Sequence, residues 1–174
     1  MTPQPEVWLR GPIEGIPASL QPAAHALLQT LEDVGHTIAE LSVDQIWTSP
    51  GGAASVGFHV LHLIGSTDRL LTYARGETLT DAQKARLFAE RNPVRVDAAS
   101  LMEDLRRTMD TALAQLRSTA PTTLEQVRTV GRAALPTTVL GLLFHTGEHA
   151  QRHAGQIVTT AKIVRATTAE SSGL

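Results

Sequence analysis

Apolar residues recur along this chain at steps of three and four, the period of one helical face, in four long stretches. The first is predicted from Ser19, as N-cap, to about Leu41; it carries Leu27, Leu28, Leu31, Val34, Ile38 and Leu41, with Pro22 in its first turns, where a missing N–H is tolerated. After a loop over 42–54 containing Pro50-Gly51-Gly52, Ser55 caps the second. Val56, Val60, Leu63, Ile64, Thr67, Leu70, Leu71 and Ala74 keep its period until Gly76 stops it. Thr80 caps a shorter helix with Asp81 in its first turn, ended by Asn92-Pro93. Asp97 caps the third long helix, which runs to about Arg117 with Leu101, Leu105, Met109, Ala112, Leu113 and Leu116 on one face. Residues 118–135 are predicted to hold one short helix, Thr123–Val130, before a fourth long helix from Pro136 or Thr137 to about Arg165. Residues 1–18, dense in proline and glycine, read as an extended arm, and 166–174 as a polar, disordered tail. No stretch alternates as a strand would. The expected fold is therefore all-α, a four-helix bundle over residues 19–165 with an extended N-terminal arm and one or two short extra helices.

Composition narrows the chemistry. The 174 residues fit one domain, 42% hydrophobic and 18% charged, and the formal net charge of -2 lacks the single-sign field of a nucleic-acid surface. Aromatic residues, at 3%, are too few to build a stacking platform for single strands. The absence of cysteine excludes disulfides, thiolate metal sites and a cysteine nucleophile, so any metal must be held by nitrogen or oxygen. The N-terminus has proline and acid where a secretion signal needs basic and apolar residues, and no apolar run approaches the roughly 18 residues of a membrane span. The expectation is a cytoplasmic protein without nucleic-acid or membrane partners.

Of seven histidines, five lie on two of the predicted helices: His59 and His62 on the second, His145, His149 and His153 on the fourth. A lone helical histidine is usually a solvated or hydrogen-bonded side chain, the reading given to His25 and His36. A four-residue step turns about 40° past a full circle and rises about 6 Å, so His149 and His153 can present two imidazoles to one point. Counted at about 100° per residue from the apolar stripe through Leu140, Leu143, Gly147, Ala154, Val158 and Ala161, His153 lies about 90° from the centre, His149 about 130°, and His145 nearly opposite. On the second helix His62 shares the offset of His149, whereas His59 lies nearer the core, which is where apolar periodicity alone would look for a third ligand. Ser66, Arg69 and Tyr73 share the flank of His62, and Gln156 that of His149; with His59 and His145 they are the candidate pocket or supporting groups. The site expected is a cleft on one flank of the bundle, binding a small-molecule substrate.

The run His62-Leu-Ile-Gly65 through Leu70-Leu71-Thr-Tyr73-Ala-Arg-Gly76, with His149-Ala-Gln-Arg-His153-Ala-Gly155-Gln156-Ile157, resembles the pattern of the DinB and YfiT-like superfamily of metalloenzymes. The resemblance implies that His62, His149 and His153 hold a divalent ion, zinc or nickel, and that the protein is a homodimer. One departure is visible: members often carry arginine directly after the second histidine of the pair, and here that position is Ala154, with Arg152 before it. Three neutral imidazoles would leave a fourth coordination position for water or a thiolate. Hydrolysis would want a carboxylate base, and the nearest in sequence, Glu148 and Asp68, point away from the histidine flank. Transfer or isomerisation dependent on a low-molecular-weight thiol such as bacillithiol or mycothiol, known among relatives, is the favoured expectation; hydrolysis is the alternative. A non-catalytic metal-binding bundle of the stress response is the reading from a different class. With ordinary imidazoles, metal affinity should decline below about pH 6.5.

Overall fold

The computed structural model describes residues 4–172. Four long helices form the body: α1 (Gln21–Ile38), α3 (Val56–Ala74), α5 (Ala98–Ser118) and α6 (Val139–Ser172), with two short ones, α2 (Val43–Trp47) and α4 (Asp81–Ala89), and a hairpin of β1 (Val127–Val130) and β2 (Leu135–Thr138). Three of the expected N-caps form. The Ser55 hydroxyl accepts from the Phe58 N–H at 3.2 Å, Thr80 and Gln83 close a reciprocal capping box, and Asp97 accepts from Ser100 at 2.8 Å. Ser19 does not cap α1: it sits in a 3₁₀ turn over Ala18–Leu20, and the helix proper begins at Gln21.

Three expectations are overturned. The loop over 42–54 contains α2, opened by a capping box in which Ser42 and Gln45 satisfy each other's backbone N–H groups. In place of a helix over Thr123–Val130 there is a 3₁₀ turn at Pro121–Thr123 and then the antiparallel hairpin, pairing Val127 with Thr138 and Val130 with Leu135. Its turn uses Gly131 and Ala134, both at positive φ, and Arg128 ties it to the bundle by donating to the Ala74 carbonyl at 3.0 Å. Finally, α6 continues past Arg165 to Ser172; the last two positions of the expected tail, like residues 1–3 of the arm, lie outside the described residues. The arm itself carries a short 3₁₀ turn, Val7–Arg10, and is fastened to α1 by the paired bonds of Arg10 to Glu32 and by Val7 N–H to Gln29.

The helices close a ring in the order α1, α6, α3, α5, so the chain-adjacent α1 and α3 lie diagonally. Because α6 packs along both α1 and α3, its buried face is broader than one stripe: Leu142, Leu143, Ala150, Ala154, Ile157, Ala161 and Val164 are buried, while Leu140, expected in the core, is exposed. Gly147 is what lets α6 approach α1. A Cβ there would lie 3.0 Å from the backbone of Ala23. Against this floor the apolar residues of α3 and α5, among them Leu63, Leu71, Leu105, Met109 and Leu116, complete one continuous core. The α3–α6 contact carries the histidines.

Candidate metal centre

His62 of α3 and His149 and His153 of α6 turn their rings towards one another, with centroid separations of 5.3 Å (62–149), 4.8 Å (62–153) and 4.6 Å (149–153). One nitrogen from each lies within 4.8 Å of the other two. The helix period explains the pair on α6; the α3–α6 packing supplies the third ring. His153 is buried, whereas His62 and His149 are half-buried, so the cluster sits at the edge of the core, on a flank. Phe58, one turn before His62, stacks on its ring with planes 8° apart and closes that side.

Each Nδ1 atom of the three is occupied elsewhere. Glu90 Oε2 lies 2.8 Å from His62 Nδ1, so this nitrogen carries the proton and donates it. Ser66, whose hydroxyl donates to the Leu63 carbonyl, offers its oxygen to His149 Nδ1 at 3.4 Å. His59 Nδ1 lies 3.1 Å from His153 Nδ1, a contact that needs a single hydrogen between the two rings; placed on His153, it leaves that residue's Nε2 unprotonated. With the shared hydrogen assigned to His153, the Nε2 of all three is free. This is the arrangement by which supporting groups orient imidazole ligands.

Burial holds His149 at about pKa 4, helped by the neighbouring His62 and His145; burial likewise holds His153 at about 4, helped by His149 and His62. His59 is lowered for the same first reason, burial, with His62 adding to it. His149 and His153 are therefore uncharged at neutral pH, which suits metal ligands. The same shifts also link stability to acid. Between pH 6.5 and about 4 the unfolded chain binds protons that folded His149 and His153 refuse, so stability is full above pH 6.5 and declines as pH falls towards 4. In metal-free protein the urea midpoint should drop between pH 7 and 4.5, and the drop should shrink in a His149→Ala, His153→Ala double variant; an equal drop in both would contradict the assignment.

Of the other expected residues, His59, Ser66 and Arg69 are brought to the cluster, though in supporting positions: Arg69 Nη1 donates to Glu90 Oε1 at 2.6 Å. His145 lies on the outer side, its Nδ1 3.1 Å from Glu148, which also pairs with Arg152; its ring is 5.3 Å from that of His149. Gln156 is exposed, and Tyr73 stands three turns from His62, partly buried against the core; neither joins the cluster. Asp68 turns away to Gln83, whose amide donates to it at 3.0 Å.

Glu90 is the residue that sequence reasoning missed. Its carboxylate bridges His62 and Arg69 across α3. Burial pushes its pKa up, but the hydrogen bonds from His62 and Arg69 outweigh this and hold it below the usual carboxylate range. One signal was available: Glu90 ends α4, where an acid opposes the negative end of the helix dipole, and such a local misfit marks a group placed for another purpose. The bridge crosses α3 at Gly65, where a Cβ would fall on Glu90 Oε1 and 2.8 Å from Arg69 Nη1.

No helix among the described residues is long and apolar enough to cross a membrane. Among curated proteins none matches the chain in sequence. Of solved structures, a conserved protein from Enterococcus faecalis superposes with a TM-score of 0.68 at 18% identity, over 84% of this chain and 96% of that one. YfiT from Bacillus subtilis, described as a probable metal-dependent hydrolase with an unusual four-helix bundle topology, superposes with a TM-score of 0.64 at 16% identity, over 87% of this chain and 91% of its own. The sequence pattern of the DinB superfamily matches residues 26–157, which span the four-helix core and all three clustered histidines. The chain belongs to the DinB superfamily.

Proposed function

We propose that the protein is a divalent-metal-dependent enzyme whose ion, zinc or nickel, is held by His62, His149 and His153, and whose chemistry is a transfer or isomerisation dependent on a low-molecular-weight thiol. The reading rests on one observation: three imidazoles converge with each Nδ1 engaged by a protein group, leaving one nitrogen apiece for a shared cation. The donor set fits the group, since three neutral nitrogens suit a borderline-soft divalent ion. A divalent ion there supplies Lewis acidity and an open coordination position.

The chain's own residues define the rest. Glu90 keeps the His62 proton on Nδ1 and aims that ring, Ser66 and His59 do the same for the other two, and Phe58 covers one face of the His62 ring. The carboxylates close at hand are committed: Glu90 to His62 and Arg69, Glu148 to Arg152 and His145. A carboxylate tied by two partners is a poor general base, which favours a nucleophile brought by a thiol over one generated by a protein base. The homodimer belongs to the same proposal; Leu140 and Phe144, exposed one turn apart on α6, are an apolar surface available for it.

Cobalt(II) substitution tests the reading. The expected result is a tetrahedral visible spectrum that gains an intense near-ultraviolet thiolate band when a small thiol is added. A spectrum that responds to carboxylate or phosphate anions but not to thiols would favour hydrolysis, and one that responds to neither would indicate a closed, non-catalytic site. Because folded His149 and His153 hold pKa values of about 4, affinity should persist well below the pH 6.5 at which ordinary imidazoles begin to lose a metal.

A further inference from the structure

A sizeable cavity lies away from the histidines. It lies on the other side of α3, between α3, α4 and α5, and encloses about 490 Å³, within the range of small-molecule pockets. Its walls are apolar, formed by Leu61, Ile64, Leu71, Pro93, Val94 and Val96. Three carboxylates line it, the exposed Asp104 at the rim and the half-buried Asp68 and Glu90. Glu90 is fully engaged by His62 and Arg69, but Asp68 has only Oδ2 occupied, by Gln83, and its Oδ1 takes no hydrogen bond among the described residues. The positive residues, Arg86 and Arg107, stand exposed at the rim, and Arg107 shares its charge with Glu103 and Asp104. An apolar chamber with one half-buried, half-satisfied carboxylate is complementary to a cation carried on an apolar body.

We propose that this cavity binds a small organic cation, an ammonium or amidinium head against Asp68 and an alkyl or aryl body against Leu61, Ile64, Pro93 and Val96, and that its occupancy is relayed to the imidazole cluster through Glu90. Glu90 is the wall common to both places: one face lines the cavity while its Oε2 holds His62 Nδ1. A cation entering on the cavity side competes with Arg69 and His62 for the carboxylate they share, so occupancy of the cavity and the hold of Glu90 on His62 are linked, which is what coupling between sites requires. Binding in the cavity does not depend on the proposed metal chemistry; only the use made of the coupling rests on that reading.

The test uses metal-free, nitrogen-15-labelled protein titrated with 2-phenylethylammonium, with 2-phenylethanol and phenylacetate as the neutral and anionic counterparts. Expected are saturable backbone shifts at Ile64, Asp68 and Val94 together with a shift of the His62 ring nitrogens, His25 and His36 staying unmoved. Thr108→Trp, which fills the cavity from a half-buried position on α5 away from the histidines, should weaken binding at least about tenfold and abolish the His62 shift, and Asp68→Asn should weaken it about fivefold. Equal binding of the alcohol or the carboxylate, unchanged binding to Thr108→Trp, or a saturated cavity with His62 unmoved would each overturn the proposal.

Discussion

His149→Ala is expected to leave a folded protein that no longer holds a stoichiometric divalent ion, while His145→Ala retains it. The two histidines are one turn apart on α6, and their rings are 5.3 Å from each other, so proximity alone does not separate them. What separates them is what each faces. His149 closes a triangle with His62 and His153, at 5.3 and 4.6 Å between centroids, with its Nδ1 backed by Ser66. His145 is turned to Glu148 on the solvent side, in a chain that continues to Arg152. Removing one of the three proposed ligands should weaken affinity on the order of a thousandfold, given the roughly 10–16 kcal/mol typical of a full structural site. His149 is only half-buried, so its truncation opens little internal void. Metal content after dialysis and titration calorimetry with zinc check the pair; retention in His149→Ala with loss in His145→Ala would reject the ligand set.

The legible part of this protein was the part encoded locally. Ser55, Thr80 and Asp97 cap their helices because a cap is a contact between residues three apart, visible in any short window. The histidine pair on α6 is legible for the same reason. The hairpin was not, since its strands are four residues each and none of their residues is fully buried: β1 alternates only between exposed and half-buried positions, with Val127 and Leu135 largely in solvent, so no apolar–polar alternation was written into the sequence. His153 lies on the expected flank but is more buried than its offset implies, for a tertiary reason: a stripe drawn through Leu140 assumes one partner helix, but α6 serves two, and the burial of Ala150 and Ile157 brings His153 into the packed face. Choosing His62 over His59 needed the family resemblance, because periodicity favours the more buried residue. The structure gives both a place, with His59 behind His153 and His62 in the triangle. Glu90 depended on a contact across 28 positions of sequence, and no local pattern encodes such a contact.

Gly65→Ala should separate the metal centre from the stability of the fold. Alanine in a helix interior is favoured over glycine by about 1 kcal/mol, so on local grounds the change stabilises α3. The added methyl, however, occupies the place of Glu90 Oε1 and crowds Arg69 Nη1. Both groups are the ends of flexible side chains, so they yield, and the ion pair with its hydrogen bond to His62 is lost or displaced. These opposing effects should leave the urea midpoint equivalent to within about 1 kcal/mol of the parent. The centre should fare worse. Without Glu90 the His62 ring loses the acceptor that fixes its tautomer and aim, and loss of such an outer partner typically lowers metal affinity about 10- to 100-fold. Glu90→Gln is the companion variant: its amide oxygen can still accept from His62, but it carries no charge to hold Arg69 or to raise the basicity of the ring. Its affinity should fall between the parent and Gly65→Ala. If zinc affinity in Gly65→Ala matches the parent while Glu90→Gln weakens it, the glycine is not what admits the carboxylate; if neither variant changes it, Glu90 orients nothing, and the burial of the imidazoles alone prepares them for the ion.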